Sequence, residues 1–234
     1  MQVPAGTFSG RLLQCRLRPP AVSRVAVWTK YRPIEFEDFM ASEEMRRESW
    51  RRKMGLDEVI QKSKPNRGHH AIAELVRRRK VLSVITQNID NLHADSGVDA
   101  ERIIELHGNS TYASCLDCKK RFELTPIFEA FGRDETLPVC DVCGGIVKTA
   151  TISFGQSMPE HEMDRAQEAT LQCDLFIAIG SSLVVYPAAG FPMIAQQNGA
   201  KLVILNREAT TLDSYADLVV NEEIGAALGD AVGV

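Results

Sequence analysis

The sequence predicts an α/β fold: a doubly wound, Rossmann-like parallel sheet with a smaller cysteine-containing and helical module. Short apolar runs rich in β-branched residues, such as Val81–Thr86 and Leu175–Ile179, alternate with segments of helical periodicity. This alternation indicates parallel strands joined by right-handed helical crossovers. Two Cys-x-x-Cys pairs, 21 residues apart, interrupt the alternation and have the spacing of a zinc ribbon.

The overall composition limits the functions to consider. A chain of 234 residues can form one α/β domain with a small appendage and a sizeable core. The net charge of −4 gives no reason to expect a nucleic-acid partner, and no apolar run approaches the ~20 residues of a membrane span. Four of the six cysteines form Cys-x-x-Cys pairs, which favours a metal site in a reducing compartment, and hence a cytoplasmic protein.

The N-terminal segment has an unusual composition. Residues 1–34 contain six basic residues and no acidic one, and no strand or helix periodicity persists in them. Arg-rich, acid-poor starts occur in organelle transit peptides. A disordered arm, or sequence foreign to the fold, is the interpretation that we favour.

Two helical stretches follow. Residues 36–53 have helical periodicity, and Ser42 before two glutamates is typical of a helix N-cap. A second helix is predicted over residues 69–79. His69 and His70 lie near its start without other metal-ligand types nearby, and we predict that both are surface residues.

The cysteine pairs predict one structural zinc ion. Each pair can place two thiolates along one edge of a tetrahedron, and the two pairs together fill all four positions. A metal without an open position stabilises structure and does not catalyse a reaction. The predicted zinc ligands are Cys115, Cys118, Cys140 and Cys143.

The strands of the second half end at small or polar residues. Strands are predicted at 147–154, 175–179, 201–205 and 218–220, with helices from a capping box at Ser157 to Gln172, over 187–198 and over 225–232. In an open parallel sheet, ligands bind beyond the carboxyl ends of the strands. We therefore expect a ligand crevice at this edge.

The stretch from Val81 to Gly108 provides most of the predicted chemistry. Gln87, Asn88 and Asp90 follow one apolar strand, and His107 follows the next. A histidine with an ordinary pKa near 6.5 suits a general base at neutral pH. A polar turn and a structural histidine at a strand end are the alternatives. His93, the competing histidine, follows an apolar residue at a helix start, and we predict a structural role for it.

These residues resemble a known family. T-Q-N-I-D-N-L-H at 86–93, followed by L-H-G at 106–108, resembles the hallmark of the sirtuins, NAD-dependent protein-lysine deacylases. I-G-S-S-L-V-V-Y-P at 179–187 resembles the family segment G-(T/S)-S-L-x-V-x-P, and F-G-Q-x-x-P at 154–159 resembles F-G-E-x-x-P. The resemblance runs from Trp28 to Val234. No stretch before it matches the family's G-A-G-x-S loop, which contacts the NAD pyrophosphate.

The resemblance implies NAD-dependent removal of acetyl or other neutral acyl groups from protein lysines, with release of nicotinamide and O-acyl-ADP-ribose. His107 corresponds to the catalytic base. The residues implied in NAD binding are Gln87, Asn88, Asp90, Gly180, Ser181, Ser182, Asn206 and Ile224. The residues implied in binding the acyl-lysine peptide, by β-augmentation, are Phe154, Gly155, Val184 and Val185. The Y-x-x-R pair of the desuccinylase branch is replaced by W-R-R-K at 50–53, which favours a neutral acyl group.

The same resemblance implies a domain division. Residues 1–27 form an atypical N-terminal segment, and 28–234 form the catalytic domain. Within it, we expect a Rossmann-like part (80–112 and 147–234), a helical module (36–79) and a zinc ribbon (113–146). Because the pyrophosphate loop has no match, a catalytically impaired zinc- and peptide-binding protein is an alternative. A mono-ADP-ribosyltransferase, which cleaves NAD with another acceptor, is a further one.

Overall fold

The computed structural model describes the backbone of residues 11–15 and the whole of residues 32–234. The strands of this part of the chain are β1 (Arg11–Cys15), β2 (Ser83–Thr86), β3 (Ile103–Glu105), β4 (Gly108–Cys115), β5 (Arg121–Glu123), β6 (Val147–Thr151), β7 (Leu175–Ile179), β8 (Lys201–Leu205) and β9 (Leu218–Val220). Its α-helices are α1 (Phe36–Ala41), α2 (Glu43–Lys62), α3 (Arg67–Arg77), α4 (Leu92–Asp95), α5 (Leu124–Asp134), α6 (Glu160–Gln172), α7 (Phe191–Gln197) and α8 (Ile224–Val232). Short 3-10 turns are Ala100–Arg102, Ala188–Gly190 and Asp213–Tyr215.

Six strands form a parallel sheet in the order β3-β2-β1-β7-β8-β9. Apolar clusters cover both of its faces. The neighbouring residues Val84 and Ile85 of β2 belong to different clusters, because successive side chains of a strand point to opposite faces. One cluster includes residues of α6 and α7, and the other includes residues of α3 and α8. The predicted doubly wound α/β architecture is confirmed.

Strand β1 lies at the centre of this sheet. Its Leu13 is in register with Val84 of β2 and with Ile177 of β7. The domain boundary predicted at residue 28 leaves this strand outside the catalytic domain, and the pairing corrects that. Its five residues, RLLQC, contain only two consecutive aliphatic residues, so no apolar run marks the strand in the sequence. Residues 1–10 and 16–31, which make up the rest of the predicted N-terminal segment and the start of the resemblance, lie outside the described residues.

A second, antiparallel sheet has the order β5-β4-β6. Its core contains Trp50 of α2, Phe131 of α5 and Val147 of β6, all buried. The domain division predicted from the sequence placed residues 147–151 in the Rossmann-like part. Their pairing with β4 assigns them instead to the small sheet, which extends from residue 108 to residue 151. Periodicity shows that a strand exists but does not identify its partner.

Several helix starts show which local predictions hold. The Ser42 side chain accepts a hydrogen bond from the Met45 N–H at 3.3 Å, which confirms the predicted N-cap. The capping box predicted at Ser157 does not form, since Pro159 caps α6 without a side-chain bond.

The prediction that His69 lies at the surface is wrong. Its ring is fully buried and completes a capping box with Asn66, whereas His70 is exposed as predicted.

Among the described helices, none has both the length and the apolar character that crossing a membrane requires.

Candidate functional site

The adjacent ends of β2 and β3 bring His107 to Gln87. Thr86 is in register with Glu105, and the Leu106 N–H donates to the Thr86 carbonyl at 3.0 Å. The next residues therefore lie close together, and the Nδ1 atom of His107 is 3.1 Å from the Gln87 carbonyl oxygen. A carbonyl oxygen only accepts hydrogen bonds, so the neutral imidazole carries its proton on Nδ1. Nε2 then holds the lone pair, as a base requires.

Gln87 has an unsatisfied buried acceptor. The residue is 6% exposed, and its side-chain oxygen Oε1 has no hydrogen-bond partner among the described residues. A buried carbonyl without a partner costs about 1–3 kcal/mol. A bound ligand that offers a hydroxyl or N–H donor there would remove this cost. Asn88 is half-buried beside it, and its backbone N–H donates to Thr86 Oγ1 at 3.0 Å.

Asp90 is an acidic group in an enclosed position. Its Oδ1 accepts a hydrogen bond from the Leu92 N–H at 3.1 Å, yet burial raises the pKa of its carboxyl group to about 6. Burial also raises the pKa of Glu105, at the end of β3. A carboxylate that is ionised at neutral pH but poorly hydrated can stabilise a positive charge that develops next to it.

Asn109 is a site residue that sequence reasoning missed. It is buried, and its Nδ2 donates to Asn91 Oδ1 at 3.0 Å and to Glu105 Oε1 at 2.8 Å. It therefore ties the loop after β2 to the end of β3. The sequence signal that could have identified it is an amide side chain two residues after His107, at a position predicted to lie near a strand.

The other half of the predicted site follows β7 and β8. Gly180 has φ +66°, and its N–H donates to the Leu205 carbonyl at 2.9 Å. Ser181 is buried with Oγ accepting from the Leu183 N–H at 3.2 Å, and Ser182 is half-buried. A positive φ at Gly180 turns the chain sharply away from the strand without steric cost. Backbone can therefore approach a ligand closely here.

Asn206 and Ile224 extend this edge toward β9. Asn206 follows β8, and its N–H donates to the Val220 carbonyl at 3.1 Å, while its side chain donates to the Glu208 carbonyl at 2.7 Å. Ile224 is half-buried and is the first residue of α8. Both lie on the same sheet edge as Gly180 because β7, β8 and β9 are parallel neighbours.

The two halves of the site flank the end of β1. In the strand order, β2 and β3 lie to one side of β1, and β7, β8 and β9 lie to the other. The strands that follow β1 in sequence lie on one side of it, and the later strands β7, β8 and β9 lie on the other side. The boundary between β1 and β7 is therefore the topological switch point, where α/β proteins bind nucleotides. The residues that follow β1, from Arg16 to Tyr31, lie outside the described part of the chain.

The predicted peptide-binding residues form two exposed segments. Phe154 and Val184 are 58% and 57% exposed, which is unusual for large apolar side chains. Gly155 has φ +77°, and Val185 is half-buried. The Phe154 carbonyl accepts a hydrogen bond from the Phe36 N–H at 2.8 Å, which fixes the first segment to α1. No hydrogen bond in the described part of the chain joins the two segments.

His93 is buried and lies away from solvent. It is 3% exposed, and its ring centroid is 5.1 Å from that of His69. Burial lowers the pKa of His93 to about 3 and that of His69 to about 4. A histidine that stays neutral and enclosed in this way supports the predicted structural role and not that of a base.

The four cysteines converge as their spacing predicts. Their sulfur atoms all lie within 4.8 Å of one another, with 3.5 Å from Cys115 Sγ to Cys143 Sγ and from Cys118 Sγ to Cys140 Sγ. Tetrahedral Zn–S bonds of about 2.3 Å place sulfurs about 3.8 Å apart, so the four thiolates fit one zinc ion. A Cβ at Gly145 would lie 2.9 Å from Cys115 Sγ, so glycine is required where the two cysteine turns meet.

Fold and site together define a class of protein: a doubly wound α/β protein with a polar nucleotide-type crevice and a four-thiolate zinc module. The profile of the Sir2 family matches residues 23–187. The chain belongs to this family.

Relatives and solved structures agree with this assignment. "NAD-dependent protein deacetylase 1" of Bradyrhizobium diazoefficiens is 53% identical over 227 residues, which cover 97% of this chain and 89% of that protein. "NAD-dependent protein deacylase 2" of Archaeoglobus fulgidus is 38% identical over 203 residues, or 86% of this chain and 79% of that protein. The structure of Sir2Tm bound to a propionylated peptide matches with a TM-score of 0.78 at 27% identity, and covers 97% of this chain and 92% of its own.

Proposed function

We propose that this chain removes acetyl or other neutral acyl groups from protein lysines with NAD as co-substrate, and releases nicotinamide and O-acyl-ADP-ribose. Relatives that are 53% identical are named NAD-dependent protein deacetylases, and similar solved structures hold acetylated and propionylated peptides. The observation that carries the proposal is the contact between His107 Nδ1 and the Gln87 carbonyl. It gives the imidazole the tautomer of a base at the polar edge of the sheet.

His107 acts as the general base in this proposal. NAD supplies the ADP-ribosyl group that accepts the acyl oxygen as nicotinamide leaves. The His107 Nε2 atom takes a proton from a ribose hydroxyl, and the Gln87 carbonyl, which accepts from Nδ1–H, stabilises the imidazolium that forms. Asp90 lies on the same edge, where its enclosed negative charge stabilises the positive charge that develops on the ribose.

The remaining polar residues bind NAD. Gln87 Oε1, which has no partner among the described residues, accepts a hydrogen bond from a ribose hydroxyl. Asn88 and Asp90 hold the nicotinamide and its ribose. Gly180, Ser181 and Ser182 approach the phosphates and ribose. Asn206 binds the adenosine ribose, and the Ile224 backbone contacts adenine. The catalytic domain in this proposal comprises β1 together with residues 28–234, since β1 separates the two halves of the site.

The acyl-lysine peptide lies between the two exposed segments, with Phe154 and Gly155 on one side and Val184 and Val185 on the other. The cations at 50–53 are already paired within the chain, Arg51 with Glu44 and Glu135 and Arg52 with Glu48. Trp50 is buried in the core of the small module, and the Lys53 ammonium pairs with Asp57 at 2.5 Å. A neutral acyl group such as acetyl therefore fits this chain best.

Zinc has a structural role, since Cys115, Cys118, Cys140 and Cys143 fill all four positions of its coordination shell. Thiolates that bind zinc must stay reduced, so we place the protein in the cytoplasm.

The test measures nicotinamide release from NAD by the full chain, with and without an acetyl-lysine peptide. Release should depend on the acetylated peptide and yield O-acetyl-ADP-ribose, which mass spectrometry detects. His107→Ala should lower kcat by about 10²–10⁴-fold, with unchanged zinc content and thermal unfolding. His70→Ala, at an exposed histidine, is the matched control and should leave kcat unchanged.

Three results would contradict parts of this proposal. Release that needs an unmodified protein acceptor would identify an ADP-ribosyltransferase. No release, and no heat of NAD binding in calorimetry by the folded, zinc-loaded chain, would identify a protein without turnover. Full activity of His107→Ala would remove this residue from the role of base.

A further inference from the structure

Lys148 of β6 is a buried cation that has no counter-ion among the described residues. It is 4% exposed, and no carboxylate in the described part of the chain lies within ion-pair distance of its Nζ atom. Burial alone lowers the pKa of its ammonium group to about 8. An uncompensated buried charge is costly, and an apolar side chain of similar volume would avoid that cost. A cation at this position therefore needs an explanation beyond packing.

The Nζ atom of Lys148 contacts backbone carbonyls and one aromatic ring. It donates to the Thr151 carbonyl at 2.5 Å and lies 3.5 Å from the Thr149 carbonyl. The centroid of the Phe39 ring is 5.9 Å away, at the outer limit of a cation–π contact. An ammonium group has three donors and no acceptor, so it suits a cluster of carbonyl oxygens.

These carbonyls occur where the ladder between β4 and β6 is interrupted. Ala113 is in register with Thr149 and Gly108 with Thr151, so residues 109–112 of β4 lie opposite Ala150 alone. A bulge of this kind leaves backbone groups without their ladder partners. Lys148 supplies the donor that the interrupted strand cannot.

One peptide group links Lys148 to His107. The peptide between Thr151 and Ile152 accepts from Lys148 Nζ through its carbonyl oxygen, and its N–H donates to the His107 carbonyl at 2.9 Å. A cation on the acceptor side polarises the peptide and strengthens the bond on its donor side. Next to it, a Cβ at Gly108 would lie 2.0 Å from the Ala150 carbonyl oxygen, so the two strands are in close contact there.

We propose that Lys148 is a positioning residue: its ammonium group holds the Thr151–Ile152 peptide, which holds the backbone of His107 and thereby aims the imidazole. This rests on the proposed role of His107 as the base. Phe154 follows the end of β6 by three residues, so the contact also lies next to the start of one peptide-binding segment. Lys148 does not touch substrate and is not itself catalytic.

The test compares Lys148→Met with Lys148→Arg in the full, zinc-loaded chain. Methionine removes the charge and the donors but keeps much of the volume. It should lower kcat about tenfold and leave KM for NAD and peptide little changed. The Tm should not fall, because the substitution also removes the cost of the buried charge. Arginine keeps donors and charge and should retain kcat. Lys62→Met, at an exposed lysine, is the control and should behave as the unchanged chain.

A second readout does not depend on turnover. NMR of the labelled His107 imidazole should show a changed ring resonance in Lys148→Met and an unchanged one in Lys148→Arg. If the chain proves inactive, this measurement still tests the positioning role while the proposed function fails. If Lys148→Met does not fold, the ring resonance of the unsubstituted chain must show a step between pH 7 and 9 in addition to the titration of the imidazole itself, as the Lys148 ammonium loses its proton. That additional step must be absent in Lys148→Arg. An unchanged ring resonance, or full kcat in Lys148→Met, would overturn the proposal.

Discussion

The zinc module and the polar edge of the parallel sheet use polar side chains in opposite ways. In the module, four sulfurs lie within 4.8 Å of one another, as ligands of one metal ion do. At the sheet edge, Gln87 Oε1 is buried without a partner in the described part of the chain, and the Asp90 carboxyl group has a raised pKa. The module is complete within the chain once a metal is added, whereas the edge retains unfavourable groups that a ligand would relieve.

This difference separates residues that stabilise the fold from residues that serve a reaction. A closed set of ligands stabilises the folded state directly. Strained or unsatisfied groups lower stability and persist where function requires them. Substitutions in the two regions should therefore change stability with opposite signs.

The largest effect is expected from the zinc ligands. Cys140→Ser should lose zinc and unfold the 108–151 module, since structural zinc sites contribute about 10–16 kcal/mol in small zinc peptides. Zinc content by atomic spectroscopy and limited proteolysis of this segment would measure it. Cys173→Ser, at a buried cysteine outside the cluster, should keep the zinc. A Cys140→Ser chain with full zinc and a protected module would contradict the structural role.

An intermediate effect of opposite sign is expected at Asp90. Its folded-state pKa of about 6 lies above the ordinary value near 4, so the folded state holds the proton more tightly than the unfolded state. Stability therefore falls as the pH rises from about 4 to about 6, and the full penalty applies above that range.

Asp90→Asn should thus stabilise the protein by about 1–3 kcal/mol at pH 7.5, have little effect near pH 4, and greatly reduce deacylation. Urea denaturation at both pH values would measure the stability change. Asp99→Asn, at an exposed aspartate, is the control. Destabilisation at pH 7.5 would show that the Asp90 charge supports the fold and does not serve the site.

The smallest effect is expected at His93, for which we predict a structural role. Burial depresses its pKa to about 3, so the unfolded state takes up a proton below about pH 6.5 while the folded state does not. The stability present at neutral pH is therefore lost as the pH falls from about 6.5 toward 3.

His93→Leu should remove part of this loss. We expect a gain of about 1–2 kcal/mol at pH 5 and little change at pH 7.5, again by urea denaturation, with kcat nearly unchanged. His161→Leu, at an exposed histidine, should show no gain at pH 5. A large fall in kcat with normal stability would instead bring His93 into the reaction.

Much of the sheet could be predicted from the sequence because its strands carry their own signal. The runs at 175–179, 201–205 and 218–220 match β7, β8 and β9 to the residue. Each is mostly aliphatic. In β7 and β8 this reflects burial on both faces of the sheet, whereas β9 is an edge strand and is only partly buried. The roles of the polar residues that follow these strands stay predictions.

The fold's less visible parts have no such local signal. Strand β1 contains Arg11 and Gln14, and only its pairing with β2 and β7 makes it central. Lys148 looks like a surface residue in sequence, since lysine is rarely buried. Its position opposite an interrupted ladder cannot be inferred without knowing which strand β6 pairs with.

The sequence by itself determined the zinc ligands, the strands beside the site and the family resemblance, because each depends on residues close together along the chain. Two cysteines separated by two residues can already share a metal edge. Only the tertiary structure decided that β1 lies between the two halves of the site, that His69 packs against His93, and that one peptide joins Lys148 to His107. These contacts join residues distant in sequence, and their pairing is fixed by the packing of the whole fold, not by local preference.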